Sequence, residues 1–335
     1  MTDLPPLATL LERAHVVAIP MRVRFRGVDV REAMVFEGPS GWGEFAPFPE
    51  YGDEESARWL AAGIEEAYAA RPSPVRHAVP VNATVPAVPP ERVAQVLSRF
   101  EGCTTAKVKV AEPGQTLRDD LNRLAAVRDA MGQHARIRID ANGAWDVDTA
   151  TDALRRSAAY GIEYAEQPCA SVDELADLRT ALARNAIDIL IAADESIRKA
   201  EDPLLVARKG AADLVVVKVA PLGGIRRALE IVEECGLPAV VSSALDTSIG
   251  ISAGVALAAA LPSLEHACGL GTVGLFVRDV ATEPMRPQDG VLRARRVTAD
   301  PAALTALAAP LERRQWWRER MGRCHALLDR AGVQR

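Results

Sequence analysis

The sequence predicts an α/β protein: a roughly eight-stranded (β/α) barrel preceded by a smaller α+β domain. Three observations carry this. From about residue 79, short apolar or β-branched runs alternate with longer helical patterns, about eight times. Five consecutive runs carry an ionisable residue at or near their C-terminal end, where parallel barrels place their chemistry. No glycine-rich dinucleotide fingerprint follows the first run, so an open doubly wound sheet lacks its usual mark.

The elements follow in order. "HVVAIPMRVRF" and "VREAMVFEG" read as β-segments, "GPSGWGEFAPFPEYG" as a turn-rich stretch with clustered aromatics, and "DEESARWLAAGIEEAYAAR" as a helix with acids in its first turn. "PSPVRHAVP" interrupts both patterns and marks a boundary, so the first domain spans 1–78 as a strand meander and then a helix. The barrel spans 79–283, with runs "VPVNATV", "TAKVKV", "ARIRID", "IEYAEQP", "IDILIAADE", "DLVVVKV", "PAVVSSA" and "LEHACGL". Between most of them lie segments such as "TLRDDLNRLAAVRDAMG", which suit right-handed crossover helices. Residues 284–335 carry few strand signals and are expected to pack on the first domain or the barrel exterior.

Composition narrows the function. The 335 residues, 49% of them hydrophobic, suffice for a large core and about two domains. A net charge of −5 with interspersed signs argues against nucleic acid as a partner. The arginines of "MRVRFRG" and "LERRQWWRER" read as solvated faces or inter-domain contacts rather than a polyanion site. Five scattered cysteines, an odd number without a Cys-x-x-Cys pair, suggest a reducing cytoplasm, and Cys268 reads as a small buried hydrophobe. "MTDLPPLATLLERA" lacks the layout of a signal peptide, and "GISAGVALAAALP" is shorter than the roughly 20 residues of a bilayer span. Composition thus leaves a small molecule as the expected partner, with no nucleic acid and no membrane, and the strand-end chemistry below makes it a carboxylate; oligomeric state is not encoded in any motif.

The strand ends suggest the chemistry. In "TAKVKV", Lys107 and Lys109 are two apart and share one face of a strand. Buried ammonium groups must be paired or functional. Asp140 ends "RIRID", Glu166 lies in "IEYAEQP", Asp194 in "ILIAADES", and Lys218 follows four apolar residues in "DLVVVKV". Three carboxylates without a Cys or His pattern are hard oxygen donors suited to Mg²⁺ or Mn²⁺. A substrate carboxylate on such an ion, with lysines from opposite sides of the barrel, suits removal of the proton next to that carboxylate.

This order, Lys-x-Lys, Asp, Glu, Asp, Lys across strands two to six, resembles the lysine-pair branch of the enolase superfamily, over nearly the whole chain. "REAMVFEGPSGWGEFAPFPEY" resembles that family's N-terminal capping domain, where a Gly-Trp-Gly-Glu turn precedes a mobile loop over the mouth. Within the superfamily, "SSALDTSIG" and "HACGLGT" are most similar to the o-succinylbenzoate synthase family of menaquinone biosynthesis. The resemblance implies a Mg²⁺ site (Mn²⁺ substituting) at Asp140, Glu166 and Asp194, and the superfamily's solution of a lysine base beside a divalent ion. It implies Lys109 as acid and base in a syn dehydration and Lys218 on the opposite face, stabilising the developing charge. Lys107 would lie deeper or beside Lys109 and act on it through like-charge repulsion.

Other residues carry two readings. Asn142 suits a metal water, the substrate or a loop turn. Asp246 suits a ligand or a helix cap. Ser242, Ser243 and Gly269 suit a substrate carboxylate held by backbone N–H groups. Glu195 suits support of a metal ligand, and His266 reads as a satisfied barrel histidine rather than a base. Phe48, Pro49 and Tyr51 suit a lid or simple turn packing. The rival reactions are N-succinylamino acid racemisation and dipeptide epimerisation, the latter disfavoured because no Asp-x-Asp lies near strand eight. A non-catalytic metal-binding barrel and a phosphate-binding barrel using "CGLGTVG" are rivals of other classes.

Overall fold

The computed structural model describes residues 4–198 and 203–333. A short helix α1 (Leu7–Glu12) leads into an antiparallel meander of β1 (Ala14–Phe25), β2 (Val28–Gly38) and β3 (Gly41–Phe45), ordered β1-β2-β3. Arg26 and Gly27 join the first two strands with φ of 52° and 73°, the doubly left-handed turn whose twist matches a hairpin. The stretch read as turn-rich contains β3. Its aromatics and glycines suggest a turn, but the glycines serve packing. A Cβ on Gly43 would stand 2.1 Å from Gly63 O, so this pair lets helix α2 (Asp53–Tyr68) lie directly on the strand.

The run "VPVNATV" divides into β4 (Ala78–Pro80) and β5 (Ala83–Val85). Then come α3 (Val93–Leu97), β6 (Thr105–Lys109), α4 (Leu117–Met131), β7 (Arg136–Asp140), α5 (Val147–Ser157), β8 (Ile162–Glu166) and α6 (Val172–Arg184). The alternation continues through β9 (Leu190–Ala193), α7 (Glu195–Arg198), α8 (Leu205–Arg208), β10 (Leu214–Val217), α9 (Val219–Leu222), α10 (Ile225–Cys235), β11 (Ala239–Val241) and α11 (Ser248–Ala260). Strands β5 to β11 form one parallel sheet in sequence order. The eighth run does not build a strand. It joins the two sheet edges through single parallel bridges, Cys268 to Val81 and Gly269 to Ser242. Cys268 N–H donates to Pro80 O at 2.7 Å and Gly269 N–H to Val241 O at 2.8 Å.

Alternation along the strands separates two cores. Val108, Ile139, Ala165, Ile191, Val215 and Val241 belong to the main core, whereas Tyr164, Ala192, Leu214, Val216 and Val240 form a separate small cluster. That second set has the parity of Lys107, Lys109, Asp140, Glu166, Asp194 and Lys218, which therefore share the inner face of the sheet.

The last segment adds β12 (Val291–Arg293), antiparallel to β4, then α12 (Pro301–Ala306) and α13 (Leu311–Val333). The "ERRQWWRER" face of α13 meets the N-terminal domain. Trp317 Nε1 donates to Glu32 at 2.9 Å, and the buried Arg320 donates to the carbonyls of Phe48 (2.9 Å) and Tyr51 (2.6 Å). Among the described residues, no helix is long and apolar enough to cross a membrane.

Candidate active site

Register brings the charged residues together. Lys109 pairs with Asp140 across β6 and β7, and Asp140 with Glu166 across β7 and β8. Glu166 stands beside Ala192 of β9, and Asp194 is two residues further on the same face. Lys218 directly follows β10. All six sequence-selected ionisable residues are buried.

The strand ends turn sharply. Ala111, Asn142 and Gln167 have φ of 56°, 47° and 40°, each one or two residues beyond Lys109, Asp140 or Glu166. Non-glycine residues in this region cost roughly 1 kcal/mol or more each and collect where geometry serves function. Gln167 was not singled out in the sequence, yet it braces the next strand: its Oε1 accepts from Asp194 N–H at 2.9 Å and Ser196 N–H at 3.2 Å. The buried Arg123 of α4 braces the other side, donating to Lys109 O at 2.8 Å and Val88 O at 2.7 Å.

The three lysines differ. Lys107 Nζ lies 2.7 Å from Glu166 Oε1 and 3.3 Å from Asp140 Oδ2. Burial works against its charge, but these two carboxylates raise it above the usual lysine range. Lys218 Nζ lies 2.5 Å from Asp194 Oδ2. Lys109 Nζ reaches only the main-chain oxygen of Asp140, at 3.5 Å, and no carboxylate side chain lies within salt-bridge distance among the described residues.

The carboxylates carry the complementary stress. Burial, with Asp140 and Asp194 nearby, pushes Glu166 up to about 7 against the pull of Lys107. Burial would also raise Asp140 and Asp194, but Lys107 and Lys109 lower the first, and Lys218 and Arg198 the second. Among the described residues, no group of three His, Cys, Asp or Glu side chains stands ready-arranged around a metal position. The reason is visible in the contacts: Lys107 draws Asp140 and Glu166, while Lys218 draws Asp194. The donor set nevertheless fits a hard divalent cation. Three buried carboxylates leave adjacent strands on one face, and Asp194 Oδ1 is buried without a hydrogen bond, Arg198 Nε lying 3.3 Å away at an unsuitable angle.

Around this cluster, Asn142 Nδ2 stands 3.4 Å from Glu195 Oε1, and Arg198 Nη2 lies 2.6 Å from the same oxygen. Arg198 Nη1 also reaches Tyr51 Oη at 3.4 Å. Phe48 and Tyr51 are buried and stack edge-on, 5.5 Å apart, within the N-terminal domain. An open space of about 430 Å³, counting its mouth, is lined by Lys107, Asp140, Asn142, Lys218, Ser242, Ser243, Gly269 and Thr272, and also by Phe25 and Arg26 from the β1–β2 turn. The last two were not selected from sequence.

Ser242, Ser243 and Gly269 line this space, but not with free amides. Their N–H groups donate to Val217 O, Gly269 O and Val241 O in closing the barrel. The two serine hydroxyls are engaged as well, Ser242 Oγ donating to Gly269 O at 3.4 Å and Ser243 Oγ to the same oxygen at 2.9 Å. Asp246 does not cap α11; Thr247 does, with its side chain accepting from Ile249 N–H. Asp246 instead accepts from Ala244 N–H at 3.1 Å. His266 lies near the barrel floor, 3.0 Å from Glu163 and edge-on to Tyr164.

The N-terminal domain grips the loop after β11. Arg31, wholly buried, donates Nε to Leu245 O at 3.0 Å and Nη2 to Ala244 O at 3.3 Å, and also meets Ala46 O. Glu44 of the "GWGE" stretch accepts from Thr247 N–H, Thr247 Oγ1 and Gly250 N–H. Burial and the charge of Asp246 push Glu44 up to about 8.

Comparison with known proteins agrees with this architecture. Residues 91–298 match the enolase C-terminal domain-like family and residues 16–67 the enolase N-terminal domain-like family. An o-succinylbenzoate synthase of Mycolicibacterium smegmatis is 58% identical over 97% of this chain and 98% of its own length. One of Mycobacterium tuberculosis is 57% identical over 97% of each. Among solved structures, an N-succinyl Arg/Lys racemase from Bacillus cereus superposes with a TM-score of 0.72 over 89% of this chain and 97% of its own, at 19% identity. A muconate lactonizing enzyme from Pseudomonas fluorescens gives 0.72 over 89% and 98%, at 22% identity. These two likenesses speak for the fold alone.

Proposed function

The chain belongs to the enolase superfamily, and from that premise we propose how its strand-end residues carry out an elimination. The activity is that of an o-succinylbenzoate synthase, a metal-dependent carbon–oxygen lyase. It converts 2-succinyl-6-hydroxy-2,4-cyclohexadiene-1-carboxylate to 2-succinylbenzoate by syn dehydration, a step of menaquinone biosynthesis.

Asp140, Glu166 and Asp194 would hold Mg²⁺, with Mn²⁺ as a substitute. When bound, the ion acts as a Lewis acid toward the ring carboxylate, which lowers the cost of losing the adjacent proton. Lys109 Nζ takes that proton. The C–H electrons become the new ring double bond as the C–O bond breaks, and Lys109 returns the proton to the departing hydroxyl on the same face, releasing water. No oxidant or reductant is needed, and the aromatic product makes the step downhill. Lys218, on the opposite face, stabilises the growing negative charge.

The carrying observation is the inequality of the lysines. Lys107 and Lys218 are held by carboxylates, whereas Lys109, among the described residues, is tied only to a main-chain oxygen at 3.5 Å. That inequality favours a single proton carrier over racemisation, which needs Lys218 to exchange protons as well. The test is dehydration followed by ultraviolet absorbance, with Mg²⁺ and with a chelator. Turnover with Mg²⁺ that the chelator abolishes supports the reading; no turnover by folded, Mg²⁺-loaded protein overturns it.

A further inference from the structure

We propose that Arg26, at the tip of the β1–β2 hairpin, receives the substrate's second carboxylate, the one ending its succinyl chain. This rests on the dehydration reading above and assigns a further, substrate-recognising residue to the same site.

The argument starts from charge. The substrate carries two carboxylates, one on the ring and one at the end of a flexible chain. The space at the strand ends is lined by three cationic side chains, Lys107, Lys218 and Arg26. The two lysines are matched by Asp140, Glu166 and Asp194. Arg26 is not. Its Nη2 lies 3.3 Å from Tyr51 Oη and its Cζ 4.6 Å from the Phe48 ring centroid, and no carboxylate lies within salt-bridge distance among the described residues. A half-buried guanidinium facing an anion's binding space without a counter-charge is a recognition element in waiting.

The backbone makes the same point. Arg26 holds φ at 52° in the first position of a two-residue turn that favours Asn, Asp or Gly. Its neighbours in "MRVRFRG" serve other ends: Arg22 donates to Phe276 O and Val277 O, and Arg24 pairs with Asp29 at the exposed surface. The Phe48 ring and Tyr51 hydroxyl fix the guanidinium plane, which lowers the entropy lost when a carboxylate docks on it. Arg26 is not one of the groups that carry the proton in the reading above. It is a binding residue, supplying attraction that is equal before and during the reaction.

The experiment uses Mg²⁺-loaded full-length protein and two ligands measured by calorimetry. One is 2-succinylbenzoate; the other is 2-butyrylbenzoate, which keeps the ring carboxylate and ketone but ends in a methyl group. Wild type should prefer the first by about tenfold or more, the usual worth of a charge-assisted pair. Arg26→Met should lose that preference, binding 2-succinylbenzoate about tenfold more weakly and 2-butyrylbenzoate within about twofold of wild type. Arg26→Lys should recover part of it. In turnover, Arg26→Met should raise KM with kcat little changed. The proposal is overturned if Arg26→Met weakens both ligands equally, which marks a purely structural role, or leaves both unchanged. If wild type shows no metal-dependent dehydration and binds neither ligand, the dehydration reading itself fails and takes this one with it.

Discussion

Lys107 and Glu166 meet across the intervening strand β7, Nζ to Oε1 at 2.7 Å, with Asp140 3.3 Å from the same nitrogen. One ammonium thus holds two of the three carboxylates of the cluster at the strand ends. Removing one partner of a buried ion pair costs roughly 3–5 kcal/mol, because the other charge stays buried. Lys107→Met should lose about that much stability without metal, and saturating Mg²⁺ should restore part of the loss. Urea unfolding with and without Mg²⁺ measures both; an unchanged midpoint without metal would show that the pairing is incidental.

Glu44 gives the fold a pH dependence. Its carboxyl is raised from 4.5 to about 8 in the folded chain by burial and by Asp246. A raised folded value means the folded state holds the proton more tightly. The resulting stabilisation is complete below about pH 4.5 and is lost as pH rises toward 8, an effect on the order of a few kcal/mol. Glu44→Gln keeps an oxygen acceptor for Thr247 and should flatten that decline. Unfolding free energies at pH 5 and pH 8.5 decide the matter; equal slopes for variant and wild type would contradict it.

Arg31 joins the N-terminal domain to the loop whose Ala244 and Leu245 also line the substrate space. Arg31→Met leaves buried carbonyl oxygens unpaired and should cost about 2–4 kcal/mol. The loop should also loosen, with KM rising several-fold. Arg31→Lys should not rescue KM, since one ammonium does not reproduce the planar fork that spans these carbonyls. Rescue by lysine would mean that charge, rather than the fork, does the positioning.

The sequence showed much of the site because its physics is local. A strand two residues short of its end fixes which face a side chain takes, so Lys109, Asp140, Glu166, Asp194 and Lys218 were readable as one inner set. The same parity placed Lys107. Residues whose role depends on distant packing were hidden. Arg26 looks like its surface neighbours Arg22 and Arg24, and only the turn geometry separates it from them. Arg31 and Glu44 act on residues more than 200 positions away, which no local pattern records. Strand β3 was masked by glycines that serve helix packing, and the eighth barrel run shrank to two bridges whose amides were then unavailable to Ser242, Ser243 and Gly269 as ligand donors.

The central claim is that Lys109 alone carries the proton. Its most direct test is the turnover of Mg²⁺-loaded Lys109→Ala on the cyclohexadiene substrate, alongside binding of 2-succinylbenzoate. Our account predicts a fall in kcat of about 10²–10⁴-fold with product binding kept within about threefold. Turnover within tenfold of wild type, or product binding lost in step with turnover, would contradict it.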